Sequence, residues 1–137
     1  AVRYEISDLF LRFWFRYFIK YQRYIEVGNL KSLSDIIKQD YPTYSGQTLE
    51  YYFRQQMAES FDFEDIGSWW EGKKNSDQHE IDIVGIYTGN KKALVAEVKR
   101  QRKNFKPEIF QEKVDAVRKK VLYKYEIETK CLSMDDM

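Results

Sequence analysis

The sequence predicts an α/β protein: a mixed sheet of about four strands flanked by helices and preceded by an aromatic-rich helical segment. Three observations predict it. Apolar residues recur at helical spacing through the first sixty residues, the period then drops to two between about residues 63 and 99, and helical spacing returns after Pro107 before a last alternating run. A helix between the third and fourth strands permits a right-handed crossover to a parallel neighbour. At 137 residues the chain has the size of one domain. Its 17% aromatic content argues against disorder.

The first segment, Leu9 to Tyr24, is crowded with Phe, Trp, Tyr, Leu and Ile, but Arg12, Arg16, Lys20 and Arg23 recur along one helical stripe. Four cations make membrane insertion costly, so the segment reads as an amphipathic helix and not as a span. Ser7-Asp8 supplies its start. Its broad aromatic face requires burial against this domain or another, and is a candidate interface for a second copy. Gly28-Asn29 ends it, and residues 30–40 are expected to form a second helix. Residues 41–46, with Pro42 and Gly46, are expected to form a connector before a third helix from Gln47 to Ser60. Leu49, Tyr52, Phe53 and Met57 share one face of that helix, with Glu50 at its edge.

Strands are expected at Phe63–Trp70, His79–Thr88 and Lys92–Lys99, joined by a polar loop at 71–77 and a turn at Thr88-Gly89-Asn90-Lys91. One of Trp69 and Trp70 is expected in the core and the other under the first helix. The helix that begins at Pro107 places Phe110, Val114, Val117 and Val121 on one face. The last strand alternates Tyr125, Ile127, Thr129 and Cys131 with Glu126, Glu128 and Lys130. The division expected is an N-terminal helical segment, 1–44, and a core, 45–137.

Charge is unevenly spread. Residues 91–130 hold 13 Lys and Arg against 6 Asp and Glu, whereas residues 1–90 hold 10 against 14. A basic C-terminal stretch beside an acidic pocket suits a polyanionic substrate. The single cysteine, Cys131, cannot form an internal disulfide, and no Cys/His cluster points to zinc; a cytoplasmic setting is expected.

The apolar run 81–86 holds one charged residue, Asp82, and the next run, 93–99, ends with Glu97 and Lys99. Residues two apart in a strand share a face, so Glu97 and Lys99 stand side by side, and a hairpin brings Asp82 near Glu97. Two carboxylates in apolar strands need a cation, either lysine or metal. Mg²⁺ takes oxygen ligands, often one or two carboxylates with water and phosphate, and lowers the pKa of a bound water. Lys99 is placed to orient that water and to offset developing negative charge. The alternative is an ordinary strand-end ion pair. His79, the single histidine, is expected to be structural. Arg100, Arg102, Lys103 and Lys106 follow directly and form a candidate phosphate path, or a solvated loop.

The run Ile81-Asp82-Ile83-Val84, with fourteen residues between Asp82 and the triplet Glu97-Val98-Lys99, resembles the PD-(D/E)XK nuclease superfamily. Glu50 on a preceding helix matches that pattern too, although no Pro-Asp pair precedes the site. In order along the chain, 4–14, Gly46-Gln47-Thr48-Leu49-Glu50, Gly67-Ser68-Trp69-Trp70 and Glu80-Ile81-Asp82-Ile83-Val84 resemble the C-terminal domain of unknown function of archaeal-type ATPases. The resemblance implies a restriction-endonuclease-like fold and Mg²⁺ or Mn²⁺ held by Asp82, Glu97 and the Val98 carbonyl. It further implies help from Glu50, Lys99 acting on the attacking water, nucleic acid (DNA first) as substrate, and an ATPase domain N-terminal to this chain. The chain has no Gly-rich phosphate loop of its own. The competing expectation is a catalytically silent module that binds nucleic acid or protein.

Overall fold

The computed structural model describes residue 4, residues 6–71 and residues 79–137. These form two compact units, residues 1–48 and 49–137. Beyond Glu71, the polar loop expected at 71–77 lies outside the described residues.

In the first unit, helix α1 (Leu9–Phe13) is capped by Asp8, whose carboxylate accepts the Leu11 amide at 2.9 Å. A π-helical turn, Trp14–Ile19, follows, in which the Lys20 amide reaches back five residues to the Phe15 carbonyl at 3.4 Å. Helix α2 is Gln22–Glu26. The single helix expected over 9–24 is therefore interrupted, and its aromatic face is not wholly buried. Tyr17 is 1% exposed, but Phe10, Trp14 and Phe15 remain exposed, because aromatic residues encircle this segment instead of keeping to one stripe. What fixes the segment is polar. Asp40 accepts both Nε and Nη2 of Arg16, at 2.6 and 2.9 Å, and the Tyr17 hydroxyl at 2.7 Å. These bonds pull the Asp40 carboxyl down to about 2, the Arg16 pair contributing most. Burial and the bond to Asp40 push the Tyr17 hydroxyl up to about 12.

Helix α3 runs without a break over Leu30–Ser60. The expected connector at 41–46 is overturned: Pro42 and Gly46 lie inside the helix, and the Ser45 hydroxyl bonds back to the Pro42 carbonyl at 3.3 Å. Proline removes one backbone donor and glycine weakens propensity, yet contacts made by the neighbouring turns outweigh both. Tyr44, between them, is buried and packs edge-on against Tyr17, with ring centroids 5.6 Å apart.

The second unit is a four-stranded sheet in the order β1 (Phe63–Trp70), β2 (Glu80–Tyr87), β3 (Lys92–Val98) and β4 (Glu126–Leu132). The first two pairings are antiparallel and β3–β4 is parallel, so the sheet is mixed as expected. Gly89, at φ +75°, forms the tight β2–β3 turn, a left-handed conformation that glycine adopts without a Cβ penalty. Helix α4 (Pro107–Lys120), with proline at its first turn, supplies the connection from β3 to β4.

Strand β3 is buried on both sides from Ala93 to Val98, the mark of a central strand covered on both faces. Leu94, Ala96 and Val98 join Ile83 and the α3 residues Leu49, Phe53 and Met57. Ala93 and Val95 join Ile81 and the α4 residues Phe110, Val114 and Val117. Each of the Val, Leu, Ile, Phe and Met side chains among them contributes about 1.5–3 kcal/mol of apolar burial. Trp69 packs on the α4-side core, whereas Trp70 is 61% exposed. Among the described residues no helix is long and apolar enough to cross a membrane.

A continuous α3 predicts that Gly46→Ala stabilises the protein by about 1 kcal/mol, since a Cβ there meets nothing within 4 Å. Urea unfolding followed by circular dichroism measures it. Destabilisation would instead restore the turn.

Candidate functional site

The site is built where the β2–β3 ladder ends. Its last pair at this end is Ile83 with Ala96. On the other side of β2, Gly67 pairs with Val84 and Trp69 with Ile81, so Asp82 and Ile83 together oppose the single residue Ser68. This is a β-bulge, which breaks side-chain alternation and re-aims a residue. The break is visible in the packing: Ile83 faces the α3-side core and Ile81 the α4-side core, although residues two apart ordinarily share a face. Asp82 sits at the break, and its Oδ2 accepts the Val98 amide at 2.8 Å, so a carboxylate continues the ladder in place of a backbone carbonyl.

Burial pushes the Asp82 carboxyl above its ordinary range, and Glu97 adds to the rise. The Val98 amide, Lys113 and Lys99 work against it. Glu97 lies on the last turn of pleat before β3 ends and is 5% exposed. Its Oε1 accepts Lys113 Nζ from α4 at 2.6 Å. Lys99 lies one residue beyond β3, not within it, and its backbone amide donates to the Leu132 carbonyl at 2.9 Å. Its side chain and Glu97 line one cleft of about 490 Å³ with Lys103, Asn104, Lys106, Ile109 and Lys113. Four lysines thus line a cleft that holds a single carboxylate.

Glu50 approaches from α3. Burial, with the charges of Asp82 and Glu80, raises its carboxyl to about 7 against the opposing effect of Arg54 and Lys99. Arg54, one turn on, stands 3.8 Å from Glu50 Oε2 and donates to the Asp82 carbonyl at 3.3 Å. Glu50 therefore feels the Asp82 charge. Yet among the described residues no three His, Cys, Asp or Glu side chains are grouped to hold a metal ion, so Glu50 is not a third ligand beside Asp82 and Glu97. Two carboxylates are a donor number that Mg²⁺ accepts, the remainder being water and backbone or substrate oxygen. The pair fits a hard oxygen-seeking ion.

The remaining expected residues divide. Lys103 and Lys106 line the cleft. Arg102 instead pairs with Asp136 at 2.6 Å, and Arg100 is half-buried, outside the cleft lining. His79 Nδ1 lies 2.9 Å from Glu71 Oε2, and Glu71 Oε1 pairs with Lys120. The bonds from Lys120 and His79 pull the Glu71 carboxyl to about 2. The histidine ties strand ends together and stands apart from Asp82.

Sequence reasoning missed Lys113 and Arg54. A signal for Lys113 was present: positions 110, 113, 114 and 117 form one helical stripe, and Lys113 is its single charge. Arg54 stands four residues after Glu50, the spacing of a helical ion pair.

Residues 14–121 match a family model described as archaea bacterial proteins of unknown function, DUF234. The chain belongs to the DUF234 family. The match spans Glu50, Asp82, Glu97, Lys99 and Lys113 alike. An uncharacterized protein of Methanocaldococcus jannaschii is 36% identical over 106 residues, a match covering 71% of this chain and 22% of that protein. The match thus spans under a quarter of that relative's length. No solved structure matches.

The elevated Glu50 carboxyl has a stability consequence. A group raised from an ordinary 4.5 to about 7 on folding favours the native state fully below pH 4.5, and this contribution is lost as pH rises through 7. Stability of the natural protein should therefore fall between pH 5 and pH 8 relative to Glu50→Gln. The difference should reach about 1 kcal/mol, discounted for the partial exposure of the group. Urea midpoints at the two pH values test this; parallel pH profiles would show that Glu50 titrates normally.

Proposed function

We propose that this domain is a metal-dependent nuclease module of PD-(D/E)XK type, with a restriction-endonuclease-like fold, acting on nucleic-acid phosphodiesters as part of a larger ATPase. The observation that carries the reading is the convergence of Asp82 and Glu97 at the open end of the β2–β3 ladder, beside a cleft walled by Lys99, Lys103, Lys106 and Lys113. A buried Glu97 and a half-buried Asp82 beside an open, strongly cationic cleft suit a polyanion far better than a neutral substrate. The element order supports the same reading: an antiparallel pair carrying the carboxylates, then a helix leading to a parallel strand.

Asp82, Glu97 and the Val98 carbonyl would hold Mg²⁺ or Mn²⁺, which supplies a Lewis acid and a more acidic bound water. Lys99 orients the attacking water and offsets charge as it builds on the phosphate. Lys103 and Lys106 contact flanking phosphates. Glu50, with its carboxyl near 7, is suited to exchange a proton at neutral pH. Water adds to phosphorus, the P–O bond to the leaving strand breaks, and that oxygen takes up a proton. DNA is the first substrate to try.

A second reading is favoured by one specific contact. Lys113 already neutralises Glu97 at 2.6 Å, as it would in a silent nuclease-shaped module that binds nucleic acid or protein through the same basic wall.

Calorimetric titration with Mg²⁺ or Mn²⁺ separates the two. The parent should bind at millimolar concentrations or below and Asp82→Ala/Glu97→Ala should not, while Lys99→Ala should bind metal yet lose about 10²-fold or more of any DNA cleavage. Absence of binding by the parent would leave the silent module.

A further inference from the structure

We infer that Lys113 is a displaceable counter-ion: it occupies Glu97 while the site is empty of metal and passes into the cleft, toward substrate phosphate, when a divalent cation binds. The inference rests on the metal-site reading above and concerns a residue that the superfamily pattern quoted for this chain does not include.

Glu97 is almost completely buried, so its negative charge needs a partner at all times. In this structure the partner is the Lys113 ammonium, at 2.6 Å, and Lys113 is itself largely covered, with 21% of its side chain exposed. A divalent cation held by Asp82 and Glu97 would replace that partner, and it would repel an ammonium left at the same carboxylate. Lys113 has somewhere to go. It lines the same cleft as Lys99, Lys103 and Lys106, so its flexible four-carbon stem can carry the charge from a protein carboxylate to a bound phosphate without leaving the wall. The helix that carries it need not move, because Phe110, Val114 and Val117 on either side are anchored in the core. Only rotamers change.

The consequence is a coupling between two ligands. Metal must first displace a cation, which weakens its binding to the empty site. A polyanion in the cleft attracts the same ammonium and lowers that barrier, so metal and nucleic acid strengthen each other's binding by the same factor. Lys113 is thus a positioning residue that holds the metal site closed in the absence of substrate.

Two measurements on the whole chain test this. The first is Mg²⁺ calorimetry on the parent, Lys113→Met and, as a control, Lys119→Met on the exposed face of α4. Lys113→Met should bind roughly tenfold more tightly than the parent, and Lys119→Met as the parent does. The second needs no variant: amine acylation of the parent, read by mass spectrometry with and without saturating Mg²⁺. Labelling of Lys113 should rise several-fold with metal, and that of Lys119 should not. Equal or weaker binding by a folded Lys113→Met, or Lys113 labelling unchanged while Mg²⁺ binds, overturns the inference and leaves the metal site standing. If Lys113→Met does not fold, the labelling result decides. Absence of Mg²⁺ binding in the parent and in Lys113→Met removes the metal site and this inference with it.

Discussion

Two carboxylates, Asp82 and Glu97, share the end of the most buried strand pair in the protein, and the surrounding structure compensates them. A charge taken out of water must be matched by hydrogen bonds and counter-charges, and removing one partner of such a pair typically costs about 3–5 kcal/mol. Each carboxylate has its own solution. Asp82 takes the Val98 amide, which requires the bulge in β2 that turns it into the gap between the strands. Glu97 takes Lys113, which requires α4 to lie on the same face with a lysine inside its apolar stripe.

The cationic wall follows from the same topology. After β3 the chain must cross to a parallel neighbour, and the crossover begins at Lys99 and runs through Lys103 and Lys106 into α4. The connection is pinned at its start, by the Lys99 amide on the Leu132 carbonyl, and along its length, by Arg102 on Asp136. Asp136 is held in turn by the capping box of Ser133, whose backbone amide it accepts at 2.8 Å. Four of the thirteen basic residues in 91–130, Lys99, Lys103, Lys106 and Lys113, therefore line one cleft together with Glu97.

Much of this architecture was legible in the sequence. The four strands and α4 emerge from periodicity and turn residues, because a strand buried on one or both faces imposes its period on the residues that build it. Asp82 was conspicuous as the single charge inside one apolar run, and Glu97 stood with Lys99 at the end of the next. Other features were hidden. Pro42 and Gly46 read as a connector on local propensity, and packing of Tyr44 in the first unit overrode that preference. Trp70 gave no sign of its exposure, since an aromatic residue in a strand has the same local signature on either face.

By itself, then, the sequence determined the four strands, α4, the mixed α/β class and the basic stretch, all of which are written in residue types at short range. Tertiary structure alone decided which cation meets which carboxylate. Lys99, two residues from Glu97, was the obvious partner by spacing, but the chain leaves the strand before it and the ion pair goes to Lys113, sixteen residues away on α4. Spacing along a strand sets direction for a few residues. Charge pairing in a core is set by which helix the crossover lays on the sheet, and that depends on contacts no local pattern records.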